Sequence, residues 1–263
     1  MRFKHLFAAA ALLAAPFATT LHAQTAAEQI ELGRQAVVAR DPSTALSHFQ
    51  VAMELDSTSY EAAWRAAAAL VDIGKQTPDS VKSPVRDSLY AQAEVVAREA
   101  VKLNPEGADG HYILAAAIGR ASLTKGKKER VKRAAEIRAE ALKALEIDPN
   151  HDKAAHVMGR WNAEIMRLSG LTRFFAKSFL GGAIFSEASW DHAIEYMTKA
   201  VELAPESIYH HLDLAEIYID RDKYDEARHH LDQVEALPVT DVMDPVYKET
   251  GAVLLKRIEG KKD

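Results

Sequence analysis

The chain has 263 residues, with 33 Lys and Arg against 38 Asp and Glu, a formal net charge of -5 and no cysteine. The absence of cysteine excludes disulfides and thiolate metal sites. The acidic balance gives no electrostatic reason to bind nucleic acid, because Lys and Arg must neutralise its phosphates. A chain of this length can bury an apolar core, either as a compact domain or as stacked units.

Residues 1–23 have the pattern of a secretory signal peptide. Arg2 and Lys4 precede an apolar run that extends from Leu6 to Phe17, and the small residue Ala23 offers a cleavage site. The run is shorter than the roughly 20 residues of a membrane-spanning helix, which favours cleavage over anchoring. We therefore expect an exported protein, periplasmic or secreted, whose residues 24–263 form one repeat domain without a transmembrane segment.

Similar helix endings recur along residues 24–263. Each of the four clear copies has an alanine, an apolar residue three positions later, and then Asp, Asn or Ala-Pro, where the helix stops. Another small residue stands seven positions earlier in most copies, on the same face two turns away, where it lets a neighbouring helix approach. The endings start at Ala52, Ala100, Ala144 and Ala200, with a looser copy at Val234.

Each ending is preceded by a segment with the spacing of a tetratricopeptide first helix, a bulky residue followed by Leu-Gly or a similar pair. These segments start at Gln29, Trp64, His111, Ala155 and His211. A last amphipathic helix over 245–258 would cap the series. No alternating β-branched run indicates a strand. The sequence predicts an all-α, tetratricopeptide-type α-solenoid of about five helix pairs with a C-terminal capping helix.

The repeat spacing is irregular. Leu203 and Leu237 are separated by the standard period of 34 residues, but earlier units are longer. We assign the excess to inserts between paired helices, at 75–84, 124–129 and 169–189. Such insertions fall on one edge of a stacked array, where they could build a lip over its groove.

The third insert is rich in phenylalanine. Phe174, Phe175, Phe179 and Phe185 lie in it. One interpretation is a short extra helix that folds back onto the stack, since apolar stripes are usually core. The other is an amphipathic segment that touches lipid or lines an apolar pocket.

No catalytic or metal-binding motif is present. The chain has no Gly-x-Ser-x-Gly, no phosphate-binding glycine loop and no His-Glu-x-x-His. Paired histidines occur at 210–211 and 229–230, but adjacent residues diverge by about 100 degrees on a helix, so each pair offers one inward ring. We predict a protein that is not an enzyme and has no metal or cofactor.

Residues 130–255 resemble the regulator of microtubule dynamics family. The resemblance rests on the segments 140–149 and 156–161, the Phe-rich insert, the restart over 189–205 and the ending from Asp244 to Leu255. It implies a helical repeat whose concave surface binds a ligand, which in this family could be apolar. Microtubule binding is not carried over, because we expect this chain to be exported behind a signal peptide of prokaryotic type. The animal members' membrane anchors and partner motifs are also not found in this sequence.

Two functions remain open. The first is a scaffold whose first helices hold an unidentified protein or peptide partner in a concave groove. The second is a carrier of a lipid or other apolar ligand in a cavity that the Phe-rich insert closes. Aromatic and guanidinium groups concentrate binding energy, so they lead the groove candidates. The candidates are Trp64, His111, Tyr112, Arg160, Trp161, His211 and Tyr218.

Overall fold

The structure, a computed structural model, describes residues 25–169 and 185–263. Within these ranges it has eleven α-helices, a short 3-10 turn at Ser122–Thr124 and no β-strand. The helices are α1 (Ala26–Val38), α2 (Pro42–Leu55), α3 (Tyr60–Lys75), α4 (Pro84–Leu103), α5 (Ala108–Ala121), α6 (Lys127–Ile147), α7 (Asp152–Arg167), α8 (Trp190–Leu203), α9 (Ile208–Asp220), α10 (Tyr224–Ala236) and α11 (Asp244–Arg257). Consecutive helices from α1 to α10 form five pairs, and α11 packs against α9 and α10.

The predicted endings close the second helix of each of the first four pairs. The last residues of α2, α4, α6 and α8 are Leu55, Leu103, Ile147 and Leu203. The alanine three residues before each of these ends has no exposed surface. First helices also touch each other, α3 with α5, α5 with α7 and α7 with α9, and α9 touches the capping helix α11, as serial stacking requires. The arrangement confirms the predicted tetratricopeptide-type solenoid.

Large side chains of the second helices pack against glycines of the first helices. A Cβ atom added to Gly33 in α1 would lie 2.3 Å from the Phe49 ring in α2. One added to Gly159 in α7 would lie 3.0 Å from the Met197 side chain in α8. Both large side chains are fully buried. The Gly positions of the repeat therefore set how closely paired helices approach.

The inserts differ from the prediction in one respect. Much of the excess length in pairs two and three forms extra helical turns, because α4 has 20 residues and α6 has 21, against 14 in α2. The remaining loop before α4 is held by Arg86, whose guanidinium donates to the carbonyl oxygens of Pro78 at 2.7 Å and Val81 at 2.9 Å. Most of the third insert, residues 170–184, lies outside the described residues.

The register of pair two is one residue earlier than the sequence spacing indicates. Ala67 is fully buried against α4 and corresponds to Ala115 in α5. Ala63 thus takes the place of His111, and Trp64 takes that of Tyr112. The run of alanines in α3 hides this register in the sequence, since several alignments fit equally well.

The capping helix α11 begins one residue before the predicted start and buries Leu254 against pair five. Its Gly251 approaches Val234 of α10, so the cap uses the same small-to-large contact as the repeats. Among the described helices, none combines the length and the apolar character needed to cross a membrane.

Candidate functional site

The first helices present one side to their paired second helices and the other side to the hollow of the solenoid. On α5 that second side carries Tyr112, Ala116 and Arg120, which are four residues apart and therefore line up along the helix. We call this surface of the first helices and of α11 the inner face, and define it by the accessible residues named next. Its members are Trp64, Ala68, Asp72, Lys75, Tyr112, Ala116, Arg120, Lys153, Arg160, Tyr209 and Tyr247.

The inner face brings distant repeats together. The Lys75 ammonium of α3 lies 5.7 Å from the centre of the Tyr209 ring in α9. Tyr209 in turn stacks on Tyr247 of α11, with ring centres 4.8 Å apart. Asp72 holds the Lys75 ammonium at 3.0 Å. Pair two therefore meets pair five and the cap across the hollow, and the meeting point is polar and aromatic.

Arg160 and Asp213 form the most buried ion pair of this surface. One guanidinium nitrogen of Arg160 donates to both carboxylate oxygens of Asp213, at 2.9 and 3.1 Å. Burial alone would raise the pKa of Asp213, but Arg160 and His156 outweigh it and hold the pKa well below its usual range. The Arg160 side chain remains 38% exposed, so its charge faces the hollow while its carboxylate partner does not.

A chain of four side chains joins α7 to α9 behind this ion pair. Asp152 Oδ2 lies 3.0 Å from His210 Nε2, and the two Nδ1 atoms of His210 and His156 are 2.8 Å apart. His156 Nε2 lies 2.9 Å from Asp213 Oδ2 but is too far out of line for a hydrogen bond. An ionised carboxylate can only accept hydrogen bonds, so His210 Nε2 donates one to Asp152. In a neutral His210 ring, Nδ1 then accepts the hydrogen bond from His156.

His156 therefore donates from Nδ1, and in its neutral form its Nε2 carries no proton. Burial is the main cause that lowers the pKa of His156 to about 4, against the opposing attraction of Asp213. The ring is thus uncharged at neutral pH. The row of four side chains has three close contacts, but two neutral imidazoles supply only two N–H protons. The contact between His156 Nε2 and Asp213 Oδ2 therefore has no hydrogen-bonding proton.

Two predicted groove histidines are structural instead. His111 places Nε2 2.8 Å from the Pro105 carbonyl oxygen and Nδ1 2.6 Å from Glu140 of α6. His211 repeats this geometry with the Pro205 carbonyl oxygen and His230 of α10. Both rings are buried and do not face the hollow. Each ring contacts the preceding turn through one nitrogen and the second helix of its pair through the other.

Two predicted aromatic groove residues also lie between helices. Trp161 is 5% exposed, donates from Nε1 to the Ala134 carbonyl oxygen at 2.7 Å and stacks on Phe185. Phe185 is buried, which agrees with the core interpretation at this end of the insert. Phe174, Phe175 and Phe179 lie outside the described residues. Tyr218 stacks on the His230 ring at 5.7 Å, within pair five.

Trp64, Tyr112 and Arg160 are the predicted candidates that lie on the inner face. Trp64 is partly exposed and stacks against the Arg65 guanidinium at 4.3 Å. Among the residues of this surface that sequence reasoning missed are Lys75, Lys153, Tyr209 and Tyr247. Lys153 and Tyr209 are both the second residue of a first helix, so aligning the repeats by their turns would have placed them together.

No cluster suited to a metal ion occurs among the residues that the structure describes. The two histidine pairs bond ring to ring, His156 with His210 and His211 with His230. Their facing nitrogens are therefore occupied by each other.

Comparison with known proteins places this geometry in context. The segment 33–259 matches the family model of the regulator of microtubule dynamics proteins 1–3. Regulator of microtubule dynamics protein 3 of Rattus norvegicus is 25% identical over 176 residues, covering 66% of this chain and 36% of the rat protein. The chain thus matches little more than a third of that relative's length.

Solved structures of tetratricopeptide repeat proteins are among those that share the fold. A thermophilic tetratricopeptide repeat protein of Thermus thermophilus has a TM-score of 0.64 at 15% identity, covering 87% of this chain and 100% of its own. The pilF protein of Pseudomonas aeruginosa has a TM-score of 0.51 at 15% identity, covering 90% and 93%. The match along 33–259, on a tetratricopeptide-type solenoid, identifies the chain as a member of the regulator of microtubule dynamics 1–3 family.

Proposed function

We propose that this protein is a non-enzymatic binding module that holds a segment of a partner protein on its inner face. The observation that carries the proposal is the character of that face, where Tyr112, Lys153, Arg160 and Tyr209 are all partly or fully accessible inside a concave surface. Aromatic and cationic side chains that stay accessible in a hollow are what a peptide needs for tight binding.

Export of the mature domain is part of the proposal. It rests on the signal-peptide pattern of residues 1–23. N-terminal sequencing of the protein recovered outside the cytoplasm tests it, and the expected first residue is at or near Gln24. Recovery of the chain in the cytoplasm with its first residues intact would contradict export.

The carrier alternative has less support from the described residues. An acyl chain needs an apolar lining, whereas the centre of the inner face has charged and phenolic groups. The phenylalanines on which the alternative depends lie mainly outside the described residues, so it stays a prediction. Lipid extraction and mass spectrometry of protein purified from its native compartment tests it, and a stoichiometric bound lipid would favour it.

A blocking substitution tests the proposed function. Ala116 lies between Tyr112 and Arg120 on α5, so Ala116→Arg would place a long side chain in the hollow. Ala91→Arg adds the same group to an exposed position of the second helix α4 and serves as the matched control. Peptides are first selected from a random library on the wild-type protein, and their affinity for each variant is then measured.

We expect Ala116→Arg to weaken binding of the selected peptides by about tenfold or more, which corresponds to about 1.4 kcal/mol. Ala91→Arg should bind them as the wild type does. Circular dichroism confirms that both variants fold. Equal binding by both variants would overturn the proposal.

A further inference from the structure

The Tyr209 ring lies at the centre of a contact that crosses the hollow. The Lys75 ammonium of α3 is 5.7 Å from the centre of this ring, and the Tyr247 ring of α11 stacks on it with ring centres 4.8 Å apart. The His156 ring of α7 packs against the same ring at 4.2 Å. We call the contact of Lys75 with the stacked rings of Tyr209 and Tyr247 the closing contact, because it joins pair two to pair five and the cap.

The closing contact leaves no room for a peptide between its two sides. Neighbouring extended chains lie about 4.7 Å apart, so a chain that passes between two walls needs about 9–10 Å. The Lys75 ammonium and the centre of the Tyr209 ring are only 5.7 Å apart. A partner segment that enters the hollow between α3 and α9 therefore has to separate these two groups.

The closing contact can separate without leaving a buried charge unpaired. Lys75 takes its carboxylate partner from its own helix, where Asp72 lies 3.0 Å from the ammonium. Within the described residues, no hydrogen bond or ion pair joins α3 to α9 or to α11. Separation of α3 from α9 at this point therefore loses a cation–π contact, which shifts an equilibrium by about 2- to 30-fold.

The architecture lets this modest contact control a large distance. The first helices α3, α5, α7 and α9 touch one another in series, and each unit of a solenoid contacts chiefly its neighbours. A small rotation at one interface adds to the rotation at the next. The separation between α3 and α9 across the hollow thus changes more than the packing at any single interface.

We propose that the closing contact is an autoinhibitory device, which holds the hollow shut in the free protein so that a partner binds after it opens. The inference rests on the proposed function and describes the regulation of the same surface. Its consequence is opposite to that of a ligand contact, since removal of the closing contact strengthens binding. The apparent affinity rises in proportion to the fraction of the free protein that is open.

The test compares the binding kinetics of the library-selected peptides to wild type, Lys75→Met and Tyr247→Leu. Lys75→Met keeps the aliphatic stem and removes the charge. Tyr247→Leu keeps an apolar side chain and removes the ring that stacks on Tyr209, with no change in charge. Lys199→Met on the second helix α8 is the control for the lost charge, and Tyr247→Phe is the control that keeps the stacked ring. Circular dichroism confirms that each variant folds.

We expect Lys75→Met and Tyr247→Leu each to raise the association rate constant by about three- to tenfold. The dissociation rate constant should stay within about twofold of wild type, because the closing contact is already broken in the complex. Most substitutions in an interface act on dissociation instead, so a gain confined to association is diagnostic. The double variant should gain no more than the larger single effect, since both changes remove one contact. Both controls should bind as wild type does.

Unchanged or slower association of either variant would overturn the autoinhibitory device. Faster dissociation would identify Lys75 or Tyr247 as a ligand contact and would overturn it as well. If Ala116→Arg still weakens binding in these cases, the binding groove stands and only the autoinhibition fails. Peptides that bind Ala116→Arg as tightly as wild type would instead overturn the proposed function itself.

Discussion

At the scale of single residues, the buried histidines make the fold sensitive to acid. The pKa of His156 is lowered to about 4 in the folded protein, mainly by burial, and the unfolded value is 6.5. The unfolded chain therefore binds more protons between these values, so the free energy of unfolding decreases as pH falls through that window. Burial also lowers the pKa of His230 to about 4, so His230 contributes a further decrease of the unfolding free energy in the same pH window.

We predict that the unfolding free energy is nearly constant above pH 7 and falls between about pH 6.5 and 4. A pKa shift of this size corresponds to about 3 kcal/mol from His156. Urea unfolding at a series of pH values measures it. His156→Gln removes the titrating ring and should flatten the slope in this window, whatever its effect at pH 7. A slope identical to that of wild type would contradict the role of His156.

The sequence indicated which first-helix residues are important more readily than whether each one binds a ligand or packs between helices. Histidine and tryptophan at first-helix positions indicated binding, but His111, His211 and Trp161 make contacts between helices. Their partners, among them Glu140 and the Ala134 carbonyl oxygen, come from another helix whose rotation the sequence does not specify. Tyr112 and Arg160 lie on the inner face because their register follows directly from clear repeat endings, and their part in binding stays a prediction.

At the scale of helices, the contact between Gly33 and Phe49 controls the packing of pair one. We predict that Gly33→Ala lowers the free energy of unfolding by about 1–3 kcal/mol, because the added methyl meets a buried ring that has no room to move. Gly126→Ala is the control, since nothing lies within 4 Å of its added Cβ. Thermal unfolding compares the two, and equal midpoints would contradict the packing described here.

The turn between α1 and α2 offers the opposite effect. Arg40 is exposed and has a positive φ of 60°, which is costly for any residue with a Cβ. We predict that Arg40→Gly raises the free energy of unfolding by about 0.5–1 kcal/mol, whereas Arg40→Ala does not, because alanine keeps the strained Cβ. Chemical denaturation measures the free energy of unfolding of both variants. Equal values for Arg40→Gly and Arg40→Ala would contradict strain at this turn.

Helix boundaries were largely predictable because local chemistry sets them. Pro42, Ser59 and Ser189 mark helix starts, and the recurring endings mark helix stops. The longer α4 and α6 were not predicted, because their extra turns are polar and resemble loop sequence. The packing of their remaining residues against neighbouring helices makes these turns helical.

At the scale of the whole molecule, the Lys75–Tyr209–Tyr247 contact links pair two to pair five and the cap. These residues lie far apart in the sequence, and their meeting depends on the summed rotation of successive pairs, so no local pattern reveals it. We predict that Tyr209→Ala opens the solenoid and increases its radius of gyration in small-angle scattering. Tyr209→Phe keeps the ring and should leave the radius unchanged. Equal radii for both variants would contradict a bridging role.

The central claim is that the partner binds the first helices across the inner face. Photo-crosslinking of a library-selected peptide that carries a benzophenone, mapped by mass spectrometry, tests it most directly. We predict that the crosslinks fall in α5, α7 and α9, near Tyr112, Lys153 and Tyr209. Crosslinks confined to α4, α6 and α8 would place the ligand on the second helices and contradict the account.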